Sequence, residues 1–195
     1  LKIFLIFTAG TVLMRTAGCI FNDIADRHAD RLIERTQARP ITSGKISVKA
    51  AAILACSLCL VAYLLVLQCN RLTIEFAWIG LALTIIYPLL KRMTHLPQLG
   101  LGLAFNWGLI MAFAAVQHHI PAIAWGWYAA AMVWTLVYDT LYAWADVKDD
   151  IKIGVKSTAV LLENHIRLGI AVLQIIFLMI LLALGLLQSV AWVYY

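Results

Sequence analysis

The sequence predicts an all-α integral membrane protein, a multi-helix bundle forming one domain over residues 1–195, on three observations. The 195-residue chain is 64% hydrophobic and 13% charged, whereas soluble domains carry roughly 25% charged residues. Six stretches approach the roughly 20 apolar residues that a helix needs to cross a bilayer. These long runs lack the period-two alternation of barrel strands, so they predict helices.

The six predicted spans share a long apolar run and few polar side chains. In chain order they cover residues 3–21, 50–67, 72–90, 99–116, 121–138 and 168–187. Asn106 lies in the middle of the fourth span, where we expect its amide to pair with a neighbouring helix.

The distribution of basic residues predicts the topology. Twelve of the 15 Lys and Arg lie in the segments 22–49, 91–92 and 148–167. Because the basic side of a membrane protein faces the cytoplasm, we expect these segments to be cytoplasmic, in a bacterial inner membrane. This topology explains the net charge of +5 without a nucleic-acid partner.

Seven of the ten acidic residues are concentrated in two clusters, each directly after an apolar run. The first cluster is Asp23, Asp26 and Asp30, which share one face of a helix with Asn22 through spacings of three and four. The second, also at helical spacings, contains four aspartates and a tyrosine: Asp139, Tyr142, Asp146, Asp149 and Asp150. The predicted topology places both clusters on the cytoplasmic side.

The two clusters together predict a metal-bridged polyphosphate site. Like charges at i and i+4 repel, and a hard cation such as Mg²⁺ removes that cost by binding carboxylate oxygens. The bound cation then attracts a diphosphate that carboxylates alone would repel, while Arg and Lys hold the remaining phosphate oxygens. At a membrane surface, this chemistry fits a diphosphate with an apolar tail, such as a polyprenyl diphosphate.

Four segments of the chain carry recognisable motifs. RTAGCIFNDIADRHAD contains the pattern N-D-x-x-D-x-x-x-D, and YDTLYAWADVKDDIKIGVKSTA contains Y-x-x-x-D-x-x-x-D. RTQARPITSGKIS and YPLLKRMTHLPQ lie between them. With these segments in this order, the chain resembles the UbiA superfamily of intramembrane prenyltransferases, in its 4-hydroxybenzoate polyprenyltransferase branch. The resemblance implies transfer of a polyprenyl group from its diphosphate to the ring of 4-hydroxybenzoate, a step of ubiquinone biosynthesis.

The same resemblance implies a bundle of nine spans around a cavity that opens laterally to membrane lipid. This chain supplies about six of the nine. We therefore expect a fragment that lacks the first helix and the last two of the family's fold.

The resemblance also assigns roles by position. Asn22, Asp26 and Asp30 would hold Mg²⁺ from one side, and Asp146 and Asp150 from the other. The expected catalytic residues are Asp26, Asp146 and Arg92, with Arg92, in the loop after the third span, gripping the carboxylate of the aromatic acid. The other candidates for substrate contact are Asn22, Asp23, Asp139, Tyr142, Lys91 and Lys152.

Two other interpretations remain open at this level. The acceptor of the same reaction could instead be a naphthoate, homogentisate, chlorophyllide or haem. A cation transporter also places acidic residues within a helical bundle, although here they lie at helix ends on one side.

The predicted topology can be tested by labelling. Cysteines introduced near Arg31 and near Lys148 should react with a membrane-impermeant maleimide only from the cytoplasmic side, because both lie in basic segments. Labelling of either cysteine from the opposite side would contradict this orientation.

Overall fold

The structure, a computed structural model, describes residues 1–191, except for the side chains of Lys91, Arg92, Asp149 and Ile153. In this part of the chain there are α-helices and two short 3₁₀ turns, and no strand. The helices are α1 (Lys2–Asp26), α2 (Val48–Val66), α3 (Arg71–Met93), α4 (Pro97–Phe105), α5 (Trp107–Gln117), α6 (Ala122–Trp144), α7 (Val147–Ile153), α8 (Thr158–Leu161) and α9 (Ile166–Gln188). The predicted all-α membrane bundle is confirmed.

Five stretches of the described residues are helical, long and apolar enough to cross a membrane: Lys2–Asp26, Val48–Val66, Arg71–Leu90, Pro97–Gln117 and Glu163–Gln188. These agree with five of the six predicted spans. The remaining predicted span, residues 121–138, corresponds to α6, which has 23 residues but is not among the five. Its sequence contains four Trp and three Tyr, whose polar ring atoms lower its mean hydropathy.

The fourth predicted span consists of two helices, because the helix is interrupted at Asn106 between α4 and α5. The Asn106 amide donates hydrogen bonds to the carbonyl of Ala131 at 3.2 Å and to the hydroxyl of Thr135 at 2.8 Å, both on α6. The expected pairing between helices is therefore confirmed. In an apolar bundle these bonds replace the water that would otherwise satisfy the amide.

Small residues allow α4 and α6 to pack closely. A Cβ atom added at Gly102 of α4 would lie 3.3 Å from the backbone oxygen of Met132 on α6, so a larger side chain at position 102 would push the two helices apart. A buried apolar cluster, formed by Trp107, Ile110, Ala124 and Tyr128, fills the interior between α5 and α6. This apolar cluster therefore lies towards the end of the bundle opposite the acidic clusters.

The first acidic cluster does not lie on one continuous helix, as the spacing had predicted. Helix α1 ends at Asp26, and Asp30 lies in a separate 3₁₀ turn, Asp30–Leu32. A continued helix would place the Asp30 carboxylate one turn from that of Asp26, where the two charges repel. Ending the helix moves Asp30 to a buried position with a cationic partner.

The second cluster is likewise divided between two helices, although its residues lie at helical spacings in the sequence. Asp139 and Tyr142 lie on α6, which ends at Trp144, whereas Asp150 lies on α7. Asp146 occupies the N-cap position of α7, but its side chain makes no capping hydrogen bond to the backbone of that helix. Gly154 ends α7 with φ +72°, a left-handed conformation that glycine adopts at low cost.

The Asn106 contact between α4 and α6 generates a stability prediction. Replacing Asn106 by Ala should lower the free energy of unfolding by about 1–2 kcal/mol, the usual range for polar contacts between membrane helices. Unfolding in mixed micelles, monitored by circular dichroism, measures this change. Ser57→Ala, which removes an exposed hydroxyl bonded only within its own helix, is the control, and an equal loss in both variants would contradict the prediction.

Candidate active site

The first acidic cluster lies at the end of α1. Asn22, Asp23 and Asp26 are half-buried there, and Asp30 is buried in the following 3₁₀ turn. The hydroxyl of Tyr87 on α3 donates a hydrogen bond of 2.9 Å to Oδ1 of Asn22. This bond fixes the orientation of the Asn22 amide, so its oxygen is held at the inner edge of the cluster.

Arg39 joins two carboxylates of this cluster. Its Nη1 atom donates to Oδ1 of Asp23 at 2.9 Å and to Oδ2 of Asp30 at 3.0 Å. Arg39 belongs to the segment between α1 and α2, residues 27–47, which we call the α1–α2 loop. Thr36 of the same loop donates from its hydroxyl to the backbone oxygen of Asp30 at 3.1 Å. The loop is thus packed against the end of α1 through charged and neutral hydrogen bonds.

Arg35 of the same loop makes the corresponding contact with the second cluster. Its Nε atom donates to Oδ1 of Asp146 at 2.9 Å, and its Nη2 atom donates to Oδ2 of the same carboxylate. Nη1 donates to the hydroxyl of Tyr142 at 2.8 Å. The hydrogen bonds and negative charge of Asp146 raise the pKa of Arg35 further above its usual value, so this guanidinium stays charged.

The α1–α2 loop contacts both clusters. Arg39 bonds Asp23 and Asp30, and Arg35 bonds Asp146 and Tyr142. The two clusters therefore lie at the same end of the bundle, as the sequence predicted.

The remaining predicted residues differ in what the structure describes. Asp150 is buried on α7, and Lys152 is exposed on the same helix. The side chains of Lys91, Arg92 and Asp149 lie outside the described residues, so their predicted contacts stay predictions. The backbone places Arg92 in the last turn of α3, which ends at Met93, rather than in the loop after it.

Sequence reasoning did not single out the four residues Arg35, Arg39, Tyr87 and Gln98. The buried Gln98 accepts hydrogen bonds through Oε1 from the backbone nitrogen of Thr158 at 2.9 Å and from its hydroxyl at 2.8 Å. This contact ties the start of α4 to the start of α8, just after α7. All four lie within the segments that carried the family resemblance. Membership of those segments was the sequence signal that could have identified them.

The fit of a magnesium ion can be judged from the donor atoms. Asn22, Asp26, Asp30, Asp146 and Asp150 supply oxygen, the ligand type that Mg²⁺ prefers. Within residues 1–191 as described, however, no three His, Cys, Asp or Glu side chains come together as a ready-made metal site. Mg²⁺ usually takes one or two carboxylates together with water and substrate phosphates, so the residues fit a cation shared with a diphosphate.

Comparison with known proteins agrees with this arrangement. The model of the UbiA prenyltransferase family matches residues 1–195. A protein of Coxiella burnetii named 4-hydroxybenzoate octaprenyltransferase is 56% identical over 173 residues, 89% of this chain and 60% of its own length. One of the same name from Psychromonas ingrahamii is 48% identical over all 195 residues, or 68% of its length. The chain thus spans about 60% of the Coxiella relative.

Two solved structures share the fold. The apo structure of a UbiA homolog from Aeropyrum pernix K1 superposes with a TM-score of 0.87 and 25% identity, over 100% of this chain and 74% of that one. A UbiA homolog from Archaeoglobus fulgidus, solved with DMAPP and Mg²⁺, gives 0.79 and 17% identity over 96% of this chain and 67% of that one. The second likeness concerns the fold alone.

Proposed function

Because the chain belongs to the UbiA prenyltransferase family, we propose that the protein transfers a polyprenyl group from polyprenyl diphosphate to the ring of 4-hydroxybenzoate. The observation that carries the proposal is that the α1–α2 loop contacts both acidic clusters, through Arg39 at Asp30 and Arg35 at Asp146. The relatives named 4-hydroxybenzoate octaprenyltransferase support this choice of acceptor.

The acidic residues are proposed to bind the diphosphate through Mg²⁺. Asn22 and Asp26 act from the end of α1 and Asp30 from the 3₁₀ turn that follows it. On the other side, Asp146 acts from the N-cap of α7 and Asp150 from α7 itself. Bound Mg²⁺ supplies Lewis-acid stabilisation of the departing diphosphate. Arg39 orients the Asp30 carboxylate through an ion pair, and Tyr87 orients the Asn22 amide oxygen through a hydrogen bond.

The proposed reaction is an electrophilic aromatic substitution. The C–O bond of the prenyl diphosphate breaks, and the diphosphate leaves with the electron pair. The allylic cation is attacked by the ring carbon ortho to the hydroxyl of 4-hydroxybenzoate, and that carbon then loses its proton. The cationic and hydrogen-bonding groups around the diphosphate stabilise the charge that develops as the bond breaks.

The two substrates are proposed to reach the site from different phases, one from the membrane and the other from water. The prenyl tail lies among apolar helices in contact with membrane lipid, while the aromatic acid arrives from water at the end of the bundle that carries the acidic clusters. Because the basic segments lie at that end, it is proposed to face the cytoplasm, with the protein in a bacterial inner membrane. The entrance to the diphosphate-binding site is proposed to be lined by five further residues: Lys91, Lys152, Asp23, Asp139 and Tyr142.

The proposed cation site predicts the effect of removing one carboxylate from each side. Asp26→Ala and Asp146→Ala should each lower kcat/KM by roughly 100-fold or more in the full-length protein, because each removes stabilisation of the leaving group. The double variant should be little worse than either single one, since both groups act through one shared unit. Transfer of labelled prenyl diphosphate to 4-hydroxybenzoate in membranes measures the rate.

A matched control is Glu75→Gln. Glu75 is exposed and paired with Arg71 at the start of α3, the end remote from the clusters, so the substitution should leave the rate unchanged. Near-full activity of either Asp variant would show that the cation site is wrongly assigned.

The proposed acceptor site rests on Arg92. A benzoate carboxylate that enters a low-dielectric cavity needs a cationic partner, and Arg, unlike Lys, binds it through two parallel hydrogen bonds. Arg92→Lys should therefore raise the apparent KM for 4-hydroxybenzoate, and Arg92→Ala should cost on the order of 2 to 5 kcal/mol. If only the KM for the diphosphate rises, Arg92 belongs to the phosphate site instead.

A further inference from the structure

One loop carries a cationic contact to each acidic cluster. Arg35 and Arg39 are four residues apart in the α1–α2 loop, and Arg39 pairs with Asp23 and Asp30 while Arg35 pairs with Asp146. The loop therefore connects the end of α1 to the start of α7. Any movement that separates the loop from one cluster must break one of these guanidinium–carboxylate contacts.

The two contacts differ in how well water can compete with them. At the Arg39 contact the side chain of Arg39 is 30% exposed and that of Asp30 is 8% exposed. At the Arg35 contact the values are 42% for Arg35 and 15% for Asp146. Arg39 also has carboxylates of two residues as partners. The Arg39 contact is better shielded from water, although Arg35 bonds both oxygens of Asp146 and the hydroxyl of Tyr142. Arg39 also bonds Asp23, which is not among the proposed cation ligands, so the loop keeps a contact with α1 when a cation binds Asp30.

The Arg35 contact uses the atoms that a cation would need. Both Oδ1 and Oδ2 of Asp146 accept hydrogen bonds from the guanidinium. Asp146 is at the N-cap of α7, yet its carboxylate does not cap that helix. A divalent cation on this carboxylate and a guanidinium that grips both its oxygens repel each other.

We propose that Arg35 is a built-in counter-ion that competes with the divalent cation for Asp146, so that cation binding releases the α1–α2 loop from α7 while Arg39 keeps it attached to α1. This inference rests on the proposed function, since it takes Asp146 to be a cation ligand. It adds a residue whose removal should strengthen cation binding, the opposite of the effect of removing a ligand.

Cation binding gives the first test. The affinity of the full-length protein in nanodiscs for Mn²⁺ alone is measured by electron paramagnetic resonance of the free ion. Arg35→Gln should bind Mn²⁺ about fivefold more tightly, because the ion pair that the cation must break is gone. Arg31→Gln is the matched control, since it removes the same charge from the same loop but its Nε bonds only the backbone oxygen of Thr42.

The control separates competition from a general charge effect. If Arg31→Gln tightens Mn²⁺ binding as much as Arg35→Gln, or if Arg35→Gln does not tighten it, the inference is wrong. Asp146→Asn tests the premise: unchanged Mn²⁺ affinity in that variant would overturn the proposed cation site itself. Weaker binding in Asp146→Asn with no gain in Arg35→Gln would overturn the counter-ion role alone.

Loop movement gives the second test. Spin labels at Glu34 and Lys148, both exposed, report the distance between the loop and α7 by double electron–electron resonance, after the four native cysteines are replaced by serine. Mg²⁺ should shift this distance to longer values. In Arg35→Gln the longer distances should be present without Mg²⁺. A distance that stays the same at saturating Mg²⁺ would overturn the release of the loop.

Discussion

Electrostatic repulsion among the clustered aspartates is the constraint on which the rest of this structure depends. Carboxylates from α1, α6 and α7 lie at one end of an otherwise apolar bundle, where partial burial strengthens the interactions between charges. Buried charges persist in such a place only if they are paired. The α1–α2 loop supplies two of the partners, because Arg35 and Arg39 lie four residues apart and point to different clusters. The loop is therefore part of the site.

The same constraint explains the irregular helix ends. Helix α1 ends at Asp26 and α6 ends at Trp144. Asp30 and Asp146 therefore lie outside these helices, where they pair with Arg39 and Arg35. Away from the clusters, the bundle is held by packing of small residues and by a few polar contacts, of which Asn106 to Thr135 is one. Neutral hydrogen bonds suit the apolar interior, and ion pairs suit the end that meets water. The division places the charged chemistry at one end without destabilising the spans.

Much of this could be predicted from the sequence, because membrane spans and local spacing leave a pattern within short windows. The spans, the positions of both clusters on one side and the pairing of Asn106 all follow from such patterns. The helix ends at Asp26 and Trp144 do not, since they depend on partners far away in the chain. Arg35 and Asp146 are separated by 111 residues, and no periodicity connects them. Tyr87 was missed because a tyrosine within an apolar helix looks like an ordinary packing residue.

The close approach of Gly102 to Met132 has a consequence for how the spacing of the site is maintained. Asp139 lies seven residues beyond Met132 on α6, roughly 10 Å along the helix axis. A larger side chain at position 102 would displace α6 at Met132. Because α6 is a rigid helix, the displacement would extend to its end near Asp139. The distance between the two acidic clusters is therefore set partly by the volume of a residue that touches neither of them. Substitutions that change side-chain volume at the contact between α4 and α6 can therefore alter the distance between the acidic clusters without changing any acidic residue.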